Sequence, residues 1–77
     1  MKLYLISQTV NSGYDTYSAF VVCAEDENDA KTIHKLDAPD NNYGSWVKNI
    51  KDIKVEYLGE ADESIPRGEI LESFHAG

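Results

Sequence analysis

Residues 17–34, "YSAFVVCAEDENDAKTIH", decide the fold. The first eight place Tyr17, Ala19, Val21 and Cys23 against Ser18, Phe20, Val22 and Ala24. Period-two alternation of this kind marks a strand. Both faces are largely apolar, which predicts an interior strand, covered on both sides or paired across a dimer. At Glu25 the pattern changes. Asp26 is placed to cap a helix over residues 27–36, its carboxylate accepting the Asp29 amide. Glu25, Glu27 and Asp29 crowd the positive end of the helix dipole, and Lys31, His34 and Lys35 lie toward the negative end. Ala30, Ile33 and His34 form the stripe that packs on the sheet.

Working outward, residues 2–9 read as a strand with Leu3 and Leu5 on one face and Tyr4 and Ile6 on the other. Asn11, Ser12 and Gly13 supply a hairpin connection to the second strand. After the helix, residues 37–44 form a loop rich in Pro, Asp, Asn and Gly. Trp46, Val47 and Ile50 then read as an apolar plug, with one helical turn over residues 47–52. Residues 53–58 alternate as a third strand, and residues 69–76 as a fourth. Between them, Pro66-Arg67-Gly68 suits a type I turn. The expected fold is α+β: a single domain over residues 1–77, ordered β-β-α-β-β, with one helix packed on one face of a four-stranded, mainly antiparallel sheet. Strand order is not legible in this pattern.

Seventy-seven residues hold one small core, so self-association is a reasonable expectation. The opening apolar run is too short for a signal-peptide core or a membrane span, so it reads as a first strand in a cytoplasmic protein. Cys23 is the only cysteine, which rules out an internal disulfide, and its strand setting suits a buried, inert thiol. Fourteen acids against seven bases give a net charge of −7, which disfavours direct nucleic-acid or membrane binding and suits a basic partner.

Motifs for catalysis are missing from the sequence. His34 and His75 match no metal-ligand spacing. No serine lies in a Gly-x-Ser-x-Gly elbow, and no glycine-rich loop leads into a helix to cradle phosphate. The expectation is a non-enzymatic chain with no cofactor. Two recognition surfaces suggest themselves instead. From Glu56 to Glu72 six acids (Glu56, Glu60, Asp62, Glu63, Glu69 and Glu72) accompany one base, Arg67. With Glu25, Asp26, Glu27 and Asp29 they would make a negative surface resembling a phosphate track, attractive to a groove built of Lys and Arg. Tyr14, Asp15 and Tyr17 form the second candidate, because tyrosines beside a carboxylate suit interfaces. Turn chemistry at Asp15 and Thr16 accounts for the same residues as structure.

"YDTYSAFVVCAEDENDAKTIH" and "IKVEYLGEADESIPRGEILESFHAG", residues 14–34 and 53–77, resemble a family of very small acidic proteins encoded by phages and prophages. The shared features are a Tyr-Asp-Thr-Tyr turn, a Val-Val-x-Ala strand, an Asp-Ala-x-x-Ile-His helix, and Leu-Gly-Glu-Ala and Ser-Phe-x-Ala-Gly blocks near the end. The resemblance covers roughly the whole chain and carries no established activity or catalytic residues. Members tend to have proline directly after the helix histidine. Here Lys35 and Leu36 follow His34 and the proline is Pro39, which predicts a helix one turn longer. The resemblance implies an interaction protein, in the first instance an anti-CRISPR or other anti-defence inhibitor that binds a host nucleic-acid-handling protein. The alternatives are a sequestering protein for nucleotide signals, which the scarcity of Lys and Arg opposes, and an accessory of phage or host replication machinery.

Overall fold

The computed structural model describes residues 1–11, 16–39 and 44–75, with side chains up to residue 73. Strands β1 (Lys2–Ser7) and β2 (Thr16–Ala24) precede helix α1 (Glu27–Ala30), and a 3-10 turn (Ile50–Asp52) leads into β3 (Lys54–Glu60) and β4 (Gly68–His75). They build one antiparallel sheet in the order β3-β1-β2-β4 with the helix on one face, the α+β arrangement expected. The hairpin strands β1 and β2 are therefore the interior pair, and β3 and β4 are the edges. Gathering all four strands in this order brings residues from both halves of the chain to each end of the sheet.

Alternation sets the core. Tyr4 and Ile6 of β1 and Phe20, Val22 and Ala24 of β2 face the helix and are buried. Trp46 and Val47 close over them from the long connection, 0% and 2% exposed, so the apolar plug is present. Ile50, expected in that plug, is 39% exposed, and Ile53 takes the core place at 5%. The 3-10 turn causes this exchange: Asn49 caps it by accepting the Lys51 amide, and its three residues swing Ile50 outward. Backbone bonds dock the plug, from Tyr17 N–H to the Ser45 carbonyl (2.7 Å) and from Asp37 N–H to the Val47 carbonyl (2.8 Å). Buried Gln8 completes the tie. Its amide donates to the Asn11 and Tyr17 carbonyls at 2.6 and 2.8 Å, while Asn11 donates to the Gly44 and Trp46 carbonyls. At Gly44 a Cβ would run into the Asp37 carboxylate, whose Oδ2 accepts the Trp46 amide at 2.9 Å.

Three register shifts bend the sheet, one each beside Ser18, Leu58 and Ile70. The shift at Ser18 corrects the face of Tyr17. Instead of sharing the side of Ala19 and Val21, Tyr17 packs on the helix-side core with its ring 4.9 Å from Phe20. The shift at Leu58 is followed by Gly59, whose φ of +150° favours glycine.

Helix α1 is a single turn, where a helix over residues 27–36, lengthened further by the missing proline, was expected. Asp26 does cap it, accepting the Asp29 amide at 2.7 Å, and Asp29 reaches back to accept the Glu25 amide at 3.0 Å. The helix stops because Thr32 turns its hydroxyl onto the Asp29 carbonyl (2.7 Å) while the Thr32 and Ile33 amides bond three residues back. Asn28, Asp29, Thr32 and Ile33 are weak helix formers, so the tighter turn wins. With one turn to hold, the cap carries much of this element. Asp26→Ala is expected to cost ~1 kcal/mol, read as a lower urea midpoint with unchanged slope.

Candidate functional site

β1 begins, β2 and β3 finish, and β4 begins at the same end of the sheet: Lys2 pairs with Ala24 and Glu60, and Cys23 with Gly68. Both acidic runs converge there. Glu25, Asp26 and Glu27 follow β2, Glu60 ends β3, and Asp62 and Glu63 lie on the connection to β4; all six are exposed. The connection is held down at several points. Ala61 N–H donates to the Met1 carbonyl at 3.1 Å, Ile65 N–H to the Asp62 carbonyl at 3.0 Å, and the buried Cys23 thiol lies 3.7 Å from the Ile65 carbonyl.

Arg67 fastens this connection to the helix. Its Nε lies 3.0 and 2.9 Å from the two Asp29 carboxylate oxygens, and Nη2 donates to Oδ1 at 2.6 Å. A fork of this kind fixes geometry as well as charge. The Arg67 hydrogen bonds, then the Glu25 amide, lower the Asp29 carboxyl from its ordinary 3.8 to about 2. A depressed folded-state value stabilises the fold above pH 3.8, and that contribution is lost as pH falls toward 2. Urea midpoints measured from pH 5 to 2 are expected to fall across that interval, and Arg67→Gln is expected to flatten the fall. Nearby, Asp62 accepts the Ser64 amide at 2.9 Å, and bonding to Ser64 lowers its carboxyl as well. Glu60 accepts the Tyr57 hydroxyl at 3.2 Å.

The remaining expected site residues are placed elsewhere. Glu56 lies opposite Leu5, on the sheet face away from the helix. Glu72 lies opposite Phe20 on the β4 edge. Glu69 is near the acidic end but engaged: Nδ1 of His34 donates to its Oε1 at 2.6 Å. Tyr17 is half-buried in the aromatic packing, and Tyr14 and Asp15 lie outside the described residues. The six acids that share an exposed surface are therefore Glu25, Asp26, Glu27, Glu60, Asp62 and Glu63.

Sequence reasoning placed His34 in the packing stripe but missed the ring cluster and the Glu69 partner it finds there. The imidazole stacks on Phe20 with centroids 4.4 Å apart, lies 5.1 Å from Tyr17, and meets Trp46 edge-on at 5.9 Å. Expected both toward the negative end of the helix and in the stripe packed on the sheet, His34 does pack on the core, but from beyond a helix that has already stopped, and it joins the β4 edge to that core. Its partner Glu69 is 35 residues away, and no local pattern signals such a pair. Among the described residues no group of three or more His, Cys, Asp or Glu side chains is arranged to hold a metal ion, and no helix is long and apolar enough to cross a membrane. Compared with family models, curated proteins and solved structures, the chain matches none of them.

Proposed function

We propose that the chain is a non-enzymatic interaction protein of the small phage-encoded kind, acting in the host cytoplasm on a nucleic-acid-handling protein. Its acidic sheet end enters a groove lined by Lys and Arg and takes the place of the phosphate backbone. The observation that carries this reading is the convergence at one end of two acidic runs more than 30 residues apart in sequence. The Asp29–Arg67 clamp holds the two supporting segments together. Fixed carboxylates meet a basic groove at lower entropic cost than mobile ones.

Nucleic-acid-guided defence complexes are the first partners to test, since blocking them needs only a competitor for their phosphate-binding groove. Labelled nucleic acid bound to such a complex is expected to be released as this protein is added, with weaker competition at higher salt. Binding that ignores salt would contradict a charge-mimic mechanism. A replication protein captured through the same surface would keep the mechanism and change the partner.

A further inference from the structure

We propose that the sheet face opposite the helix is a homodimer interface, on which a second copy packs face to face about a two-fold axis perpendicular to the strands. This inference is independent of the acidic end. Register places three rows across that face. The middle row is Leu5, Val21 and Leu71, the next is Ser7, Ala19 and Ser73, and a third, Leu3, Cys23 and Gly68, is closed over at Cys23 by the β3–β4 connection and so lies outside the contact. Leu71 is 66% exposed and Leu58, at the β3 margin, is 48% exposed. Helix α1 and the Trp46 plug both lie on the other side.

Three features commit the face to a second copy. The first is shape. A shallow cavity of about 130 Å³ lies between the large row and the small one, bordered by Leu5, Ala19, Val21, Leu71 and Ser73. An axis passing between these rows sets Leu5, Val21 and Leu71 of each copy over Ser7, Ala19 and Ser73 of the other, so large side chains fill the depressions beside small ones. The second is charge. In a protein of net charge −7, register puts Lys54 and Glu56 on this face, one of each sign, with Glu72 bordering the cavity at the β4 margin. The same axis brings each Lys54 over the other copy's Glu56. It also sends the two acidic ends to opposite extremes of the dimer, which removes the repulsion that would otherwise oppose self-association. The third is size. Four strands of six to nine residues make a face of roughly 19 by 20–30 Å, which places the contact toward the small end of stable interfaces. Sheets pack in this way ~10 Å apart with strands nearly aligned.

Sedimentation equilibrium of the full chain over a wide concentration range tests the proposal, with circular dichroism confirming that each variant is folded. The wild type is expected to dimerise. Leu71→Lys, at an exposed edge position, is expected to weaken the dimer by about tenfold or more, because it buries a lysine against apolar side chains. Lys54→Glu and Glu56→Lys should each weaken it, because each gives both faces a like charge, and the double exchange should restore it, as pairing through this face requires. A monomer at every concentration overturns the proposal. So does a dimer indifferent to Leu71→Lys and to the single exchanges, which would place the contact at a strand edge.

Discussion

Trp46→Ala is expected to cost ~3–5 kcal/mol, the largest single effect in the molecule. The indole is fully buried, crosses Phe20 edge-on at 4.9 Å and 76°, and anchors the apolar segment that covers the middle of the sheet. A domain of this length has roughly 4–12 kcal/mol of total stability. The variant is therefore expected to lose well over 10 °C in Tm, or to be unfolded at room temperature. Trp46→Phe separates volume from polarity. Among the described residues the indole Nε1 is buried without a hydrogen-bond partner. Phenylalanine removes that orphaned donor while leaving a smaller void, so its loss should be well below that of alanine. Chemical denaturation of the three proteins gives the comparison directly.

Neutralising the acidic connection should have the second largest effect, on binding alone. In Glu60→Gln/Asp62→Asn/Glu63→Gln each substitute keeps an acceptor, so the bonds from Tyr57 and Ser64 survive while three charges vanish. Exposed pairs are each worth under ~1 kcal/mol, and more once a partner excludes water. Three together should weaken binding to a basic groove roughly 10- to 100-fold, mostly through slower association. Stability should barely change, since all three side chains are exposed.

What could be read ahead of the structure was local. The alternation in β1 and β2, the Asp26 cap and the burial of Trp46 and Val47 all follow from neighbours a few residues apart. Alternation alone puts Tyr17 on the wrong face, because one extra residue at Ser18 inverts the pattern and a period of two carries no sign of a bulge. Spacing alone lengthens the helix, because Ile33 and His34 fit its period although the helix ends at Ala30. In the fold, His34 satisfies the spacing while bonding Glu69 and stacking on Phe20. The acidic candidates were half legible. Their charge was plain, but strand order decided which of them meet, moving Glu56 to the opposite face and bringing Glu25, Asp26 and Glu27 beside Asp62 and Glu63. The Asp29–Arg67 fork, 38 residues apart, had no sequence signature.

The most direct test of the acidic end as the docking surface compares two variants of equal net charge. One is Glu60→Gln/Asp62→Asn/Glu63→Gln. The other, Asp52→Lys/Thr9→Lys, makes the same change of three charges at exposed positions flanking the opposite end of the sheet. Affinity for the basic partner is measured for both, and for the wild type, from low to physiological salt. The expected result is a shallower salt dependence and a 10- to 100-fold loss (about 1.4–2.8 kcal/mol) for the first variant, with the second close to wild type. Equal losses in both would reduce the acidic end to a matter of overall charge, and no loss in the first would contradict it as the site.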